Sequence, residues 1–336
     1  MNKIKVGIIG VGHLGRLHTQ NYKLIPEAEI IGVFDLNFER CQEVANEFQA
    51  AAFDNLDQLL DRIEAASIVV STMNHFEITH ACLERGIHCL VEKPITSTLE
   101  QADALIRLAN NKKLILQVGH IERFNPAIVA LNDFELNPMF IESHRLASFN
   151  PRGTDVAVVL DLMIHDIDII LHLVKSPVKK IDASGVAVVT DEVDIANARI
   201  GFKNGCVANI TASRISQTKM RKMRLFQRNA YIGIDFLQKF SEIYQIVDST
   251  GIAIQPNQIP IEMGQLDQHG KAKKIIYERR QIDEANALKM ELESFLDAAR
   301  NNKRPVVSGE EGREALRVAI EITEMIRSQV KNLIGN

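Results

Sequence analysis

Three groups of residues in this 336-residue chain have the types and spacing for chemistry. The first is Gly10-Val11-Gly12-His13-Leu14-Gly15, which follows an apolar run and opens a helical pattern. In that context Gly10 permits a tight turn, Gly12 lets the backbone approach a pyrophosphate, and Gly15 allows close packing of helix on strand. Unpaired N–H groups at the helix start favour the anion. Asp35 lies twenty residues beyond Gly15, at the end of the second apolar run. A carboxylate there hydrogen-bonds the adenosine ribose hydroxyls and repels a 2′-phosphate, so the pattern predicts NAD over NADP, with Arg40 close enough to weaken that preference. The second group is Glu92-Lys93-Pro94, at the carboxyl end of a strand candidate, the edge where open α/β sheets bind ligands. A lysine there can reach a substrate hydroxyl. The third is Asp161, His165, Asp168 and His172, which share one stripe at about 100° per residue. Val156, Val159, Leu160, Ile164, Ile167 and Leu171 make the rest of that helix apolar, so the stripe is expected to face water or a site. Paired Asp and His point to proton chemistry. A metal site is the weaker reading, because no HExxH spacing accompanies His165, and none is predicted.

These groups need rigid elements to hold them. Short β-branched runs alternate with helical patterns over the first hundred and twenty residues, the mark of βαβ units and a parallel sheet. Strands are expected at Ile4 to Ile9, Ile30 to Phe34, Ser67 to Ser71, His88 to Val91 and Leu114 to Val118. Helical stripes lie between them at Cys41/Val44/Ala45/Phe48, Leu56/Leu59/Leu60/Ile63, Ile78/Ala81/Cys82/Arg85 and Ala102/Leu105/Ile106/Ala109. After residue 122 the pattern changes. Asn125-Pro126 reads as a helix N-cap with Pro at N1, followed by a strand near Phe140 to Leu146 and a long helix from about Val156. Residues 180 to 247 read as antiparallel sheet, with Ala196/Ala198/Ile200/Phe202 and Cys206/Ala208/Ile210/Ala212 alternating around a Lys203-Asn204-Gly205 turn. The stretch from Ser249 to Lys274 has the least pattern, and two helices, Glu284 to Asn301 and Gly309 to Lys331, follow it. The expected organisation is a dinucleotide-binding domain over 1–122 and an α+β domain over 123–336 for substrate and oligomerisation.

Composition removes several function classes. Thirty-nine Lys and Arg against forty-three Asp and Glu give a net charge of -4, which offers no general attraction to nucleic acid. Cys41, Cys82, Cys89 and Cys206 form neither a CxxC pair nor a disulfide framework and are expected to be reduced, buried thiols, as in a cytoplasmic protein. The apolar run Val6 to Ile9 is too short for a signal peptide, and no segment is long and apolar enough to span a membrane.

Taken together, Gly10 to Gly15, Ser71-Thr72 with His80, Glu92-Lys93-Pro94, Gly119-His120, Asp161 with His165, and the closing Ser308-Gly309 helix resemble the glucose-fructose oxidoreductase, inositol dehydrogenase and rhizopine-catabolism (Gfo/Idh/MocA) family. The resemblance implies a Rossmann-type doubly wound parallel sheet, then an α+β domain with an open, mostly antiparallel sheet that commonly forms homodimers or homotetramers. It implies that His13, Leu14, Arg40, Ser71, Thr72, Asn74, His75, Glu92 and Lys93 join the glycines and Asp35 around NAD. It also makes Lys93 and His165 the catalytic pair, with Asp161 in the same site and a cis Lys93-Pro94 bond. Met73 and Met163 depart from the family's usual Pro and Gly. Within the family, Val118 to Pro126 and Arg152 to Asp166 are most similar to the UDP-N-acetylglucosamine 3-dehydrogenases, whose ketone product an aminotransferase can use. A nucleotide-sugar diphosphate needs cations. Arg123 and Arg152, with Asn125 beside them, are the expected substrate contacts, ahead of a basic strand holding Arg221, Lys222 and Arg224 that reads as a solvated face. The rival expectations are a dehydrogenase of a free sugar or cyclitol such as inositol, a catalytically silent NAD-sensing regulator, and a metal-dependent lyase.

Overall fold

A computed structural model describes residues 3–150, 156–248, 258–261, 273–282 and 285–334. Contacts divide the chain into two compact units, Met1–Phe124 with Asn286–Arg317, and Asn125–Ala285 with Val318–Asn336. Residues 286–317 thus group with the N-terminal part of the chain, across the expected boundary at 122.

The first unit alternates strands and helices: β1 (Ile4–Ile9), α1 (His13–Tyr22), β2 (Ala28–Phe34), α2 (Phe38–Phe48), β3 (Ala51–Phe53), α3 (Leu56–Leu60), β4 (Ala65–Ile68), α4 (His75–Glu84), β5 (His88–Glu92), α5 (Leu99–Lys112) and β6 (Leu116–Gly119). Its six strands are all parallel, in the order β3-β2-β1-β4-β5-β6. Central strands buried on both faces read as unbroken apolar runs, which explains why β1 and β5 were legible. The short edge strand β3 was not, since Ala51-Ala52-Phe53 has no alternation to recognise. The third expected strand is displaced: β4 ends at Ile68, and the chain leaves the sheet before Ser71. The α4 stripe is also rotated, burying His75, Thr79, Cys82 and Leu83 instead of the Ile78 line. Asn37, Asn55 and Thr98 cap α2, α3 and α5 through side-chain oxygens.

The second unit holds α6 (Pro126–Val129), capped by Asn125 as expected, then β7 (Phe140–Leu146), a π-helical turn over Val159–Met163, and α7 (Ile164–Val174). β8 (Val178–Val186), β9 (Ile195–Phe202), β10 (Val207–Ser213), β11 (Met220–Gln227), β12 (Ala230–Asp235), β13 (Phe240–Asp248), β14 (Gln258–Ile261) and β15 (Lys273–Gln281) complete its sheet. The order is β14-β15-β13-β12-β11-β7-β10-β9-β8, antiparallel except between β7 and β10. β14 and the start of β15 lie in the stretch read as least patterned. α7 packs on β7 and β10, burying Ile164 and Ile167 with inward residues such as Ile141, Ala208 and Ile210. On the opposite face, Phe140, Phe226, Tyr231, Tyr244 and Tyr277 form a row of tilted rings 5.0 to 5.9 Å apart. α8 (Ala287–Asn301) returns to the first unit, placing Leu292, Phe295 and Leu296 in one apolar cluster with Val6, Ile8, Val33 and Leu90. α9 (Gly309–Ile334) closes the chain. Among the described residues no helix is long and apolar enough to cross a membrane, and all four cysteines are free and buried.

Candidate active site

The glycine turn sits where the strand order reverses, between β1 and β4. Gly10 has φ +87°, and a Cβ there would lie 2.6 Å from the Val69 carbonyl oxygen, so dihedral and space both require glycine. A Cβ on Gly15 would lie 1.9 Å from the Gly10 carbonyl oxygen. Its tightest packing is therefore against the turn itself and not against a strand. Gly12 differs, because among the described residues, its chain neighbours aside, no atom lies within 4 Å of the place its Cβ would take. No contact among the described residues demands glycine there. The demand fits a ligand approaching the backbone at the start of α1, beside the exposed His13 and Leu14.

Asp35, just past β2, closes this arrangement. Its buried carboxylate accepts the Val11 N–H at 2.9 Å, the Asn37 N–H at 2.8 Å, and Arg40 Nη2 and Nε at 2.6 and 3.1 Å. Burial works against the charge, but Arg40 and the two backbone N–H groups hold the carboxyl below the usual carboxylate range. Asn37, not Asp35, caps α2. Asp35 thus braces the glycine turn while keeping a negative charge at the end of β2. A conformationally obligatory Gly10, an open Gly12 and a charged Asp35 fit a dinucleotide.

β5 delivers Glu92, and the chain then turns through a cis Lys93-Pro94 bond. Glu92 accepts the Lys93 N–H at 3.2 Å, and its other oxygen lies 3.2 Å from His18 Nε2. His18 Nδ1 is 3.3 Å from Ser67 Oγ, which is 2.9 Å from the Tyr22 hydroxyl. Burial opposes charge on Glu92, yet His18 and Lys93 hold its carboxyl below the usual range. A Cβ at Gly119 would fall 3.0 Å from that carboxyl carbon, so Gly119 makes the room. Sequence reasoning missed this chain of side chains beneath Lys93. Its signal was His18 and Tyr22, four apart on the α1 face that packs on the sheet. His75 is placed by the fold to hold the same turn: Nδ1 lies 2.8 Å from the Pro94 carbonyl oxygen and Nε2 lies 3.1 Å from that of Val70. Burial keeps the ring below the usual histidine range, so at neutral pH it donates to one of the two. Thr72 and Asn74 lie in a 3-10 turn behind Ser71, whose Oγ accepts from Asn74 Nδ2 at 3.0 Å, and Met73 is exposed. Arg123 is buried in the first unit, 3.7 Å from Glu311.

In the second unit burial of Asp168 interrupts the expected four-residue stripe. Asp161 belongs to the π-helical turn and His165 to the first turn of α7, so the rotation per residue changes between them. Asp161, His165 and His172 are half-buried, whereas Asp168 is only 1% exposed. Asp161 and Leu162 border a cavity of about 380 Å³. Beneath α7, Asp166 accepts Ser143 Oγ at 2.9 Å and Arg145 Nε at 2.6 Å, a buried ion pair that sequence reasoning also missed. Its signal was Arg145 at an inward position of the alternating strand β7. Asn125 is buried, accepting from Ala127 N–H and donating to the Phe236 carbonyl. Arg152 lies outside the described residues. Among the described residues no group of three or more His, Cys, Asp or Glu is placed to hold a metal ion.

Residues 4–120 match the oxidoreductase family with NAD-binding Rossmann fold, and residues 140–232 match the GFO/IDH/MocA C-terminal domain. The chain belongs to the GFO/IDH/MocA oxidoreductase family. It is similar to the UDP-N-acetylglucosamine 3-dehydrogenase of Acidithiobacillus ferrooxidans, 39% identical over 96% of this chain and 97% of that one. A solved structure of that enzyme superposes with a TM-score of 0.86 at 37% identity, covering 98% of this chain and 99% of the other. A myo-inositol 2-dehydrogenase of Thermotoga maritima is 24% identical over 93% of each chain. As a member of this family the chain is an NAD(P)-binding oxidoreductase, with a parallel Rossmann sheet and a second, mostly antiparallel sheet.

Proposed function

We propose that this chain is an NAD-dependent dehydrogenase that oxidises the 3-hydroxyl of UDP-N-acetylglucosamine to a ketone. The observation that carries the reading is 39% identity, along 96% of the chain, to an enzyme of that name. The charged, buried Asp35 favours NAD over the 2′-phosphate of NADP. The glycine turn, His13, Leu14, Asp35, Arg40, Ser71, Thr72, Asn74 and the Glu92-Lys93 turn would hold NAD, which supplies the acceptor for the hydride. Lys93, Asp161 and His165 manage the proton at the sugar hydroxyl. One of Lys93 and His165 removes it, the other stabilises the developing alkoxide, and Asp161 sets the charge around His165. The product ketone suits a pyridoxal-type aminotransferase acting next. We place the enzyme in the cytoplasm, where its buried thiols stay reduced, and as a homo-oligomer joined through the second unit's sheet.

The test follows NADH absorbance with UDP-N-acetylglucosamine, free N-acetylglucosamine and myo-inositol, with an amine donor and aminotransferase present to draw off ketone. Turnover with the nucleotide sugar, greater with NAD than NADP, is the expected result. Turnover only with the free sugar or the cyclitol would move the chain to another branch of the family. Lys93→Ala should lower kcat by about 10²–10⁴-fold, with NAD affinity nearly unchanged.

A further inference from the structure

The side chains beneath Lys93 form one hydrogen-bonded chain with a direction, and all of it lies in the first unit. Glu92 keeps its charge despite burial, because His18 and Lys93 favour the carboxylate, and a carboxylate only accepts. His18 Nε2, 3.2 Å from Glu92 Oε1, is therefore a donor. At the other end, burial pushes the Tyr22 phenol far above its ordinary range, so its hydroxyl donates to Ser67 Oγ 2.9 Å away. Ser67 in turn donates to His18 Nδ1 at 3.3 Å, the arrangement in which every buried hydroxyl proton has an acceptor. His18, Ser67 and Tyr22 are all buried, so water does not compete for these bonds. His75 holds the far side of the same turn through the Pro94 carbonyl. The chain starts from α1, the helix that opens at the glycine turn, and His18 comes about one helical turn after Gly15.

We infer that His18 is a positioning residue for the dehydrogenase reaction, acting through the Glu92 carboxylate on Lys93. The inference rests on the reading of Lys93 as a proton-handling residue, and on no particular sugar. Glu92 links the two, since Oε1 takes the His18 bond and Oε2 takes the Lys93 N–H at 3.2 Å. Gly119 leaves space beside the carboxylate in place of a side-chain contact, so among the described residues these two hydrogen bonds set its orientation. A carboxylate without the His18 donor is free to rotate, which moves both the Lys93 backbone bond and the negative charge that acts on Lys93. A shift of about 1 Å at a reacting group is enough to slow turnover severely. Through His18 the helix at whose start the cofactor's phosphates approach also sets the Lys93 turn, so one rigid element locates both.

The experiment compares His18→Gln and His18→Asn, alone and combined with Lys93→Ala, on whichever of the three substrates above the wild type oxidises with NAD. A glutamine amide reaches about as far as Nε2 and keeps the donor to Glu92, whereas asparagine reaches only as far as Nδ1 and keeps the Ser67 side alone. His18→Asn should lower kcat about tenfold or more and leave the KM for NAD within about twofold, while His18→Gln should stay within about threefold of wild type. In the Lys93→Ala background His18→Asn should lower kcat no further, because residues that act as one unit do not multiply their losses. Ser67→Ala removes one buried oxygen without adding volume and reports where His18→Asn fails to fold, with kcat down about threefold and the KM for NAD unmoved. Equal kcat in His18→Gln and His18→Asn, losses that multiply with that of Lys93→Ala, or an unchanged kcat in Ser67→Ala would overturn the role of His18. A Lys93→Ala enzyme with wild-type kcat would instead overturn the reading of Lys93 on which that role rests.

Discussion

Gly10, Gly12 and Gly15 lack a side chain for three different physical reasons, and the differences are measurable. Gly12 has φ -63°, which any residue can adopt, and open space around its missing Cβ. Gly12→Ala should therefore leave stability within about 0.5 kcal/mol, the range of neutral surface changes. Its methyl group would nonetheless stand where the cofactor's phosphates approach, so NAD affinity should fall by at least about tenfold. Gly15→Ala forces a methyl into the Gly10 carbonyl and should cost about 1–3 kcal/mol or more, as other overpacking substitutions do. Thermal melts beside NAD titrations separate the two. A Gly12→Ala protein that melts early and still binds NAD would reverse the assignment.

At the scale of elements, the Arg145–Asp166 pair fixes how α7 lies on β7, and so where Asp161 and His165 emerge. Both side chains are only 2% exposed, and Ser143 completes the hydration that water no longer supplies. Asp166→Ala should cost about 3–5 kcal/mol, because it leaves a buried guanidinium without its carboxylate. Replacing both partners by apolar residues, Arg145→Met with Asp166→Leu, should restore most of that loss in urea unfolding. An additive double variant would show that the pair is not coupled. The same alternation that buries Arg145 separates Arg221 from Lys222, so one run of charges is divided between the two faces of the sheet.

For the whole molecule, acid stability follows from groups whose protonation differs between folded and unfolded chains. Asp194 accepts the Val188, Val189 and Thr190 N–H groups at 2.7 to 3.0 Å. Burial opposes its charge, but these bonds bring its pKa down to about 2. A folded value below the unfolded one gives stability that is full above about pH 4 and lost as pH falls toward 2, worth about 2 kcal/mol. His75 and His88 are lowered by burial, so they too take up protons more readily when unfolded. Their contribution is present above the unfolded histidine value of about 6.5 and declines below it. Urea midpoints should therefore fall in two stages, first below about pH 6.5 and again below about pH 4. Asp194→Asn should remove part of the second stage only; an unchanged acid limb would count against this account.

What the sequence by itself determined is what local pattern and backbone chemistry dictate. The unbroken apolar runs of β1 and β5, the Asn125-Pro126 cap, the Lys203-Asn204-Gly205 hairpin and the Gly10 to Gly15 turn each carry their geometry within a few residues. Asp35 could be placed because its distance from Gly15 is set by one βαβ unit. Tertiary structure decided which polar groups face inward and what they meet. The Glu92–His18–Ser67–Tyr22 chain joins α1, β4 and β5, and the Arg145–Asp166 pair joins β7 to α7, contacts that no local spacing encodes. The stripe through Asp161, His165, Asp168 and His172 is interrupted at Asp168, whose burial depends on what packs against it. Burial of Arg123 and exposure of Arg221 follow from the same cause. A side chain's charge is written in the sequence, but its access to a ligand is set by the elements packed around it.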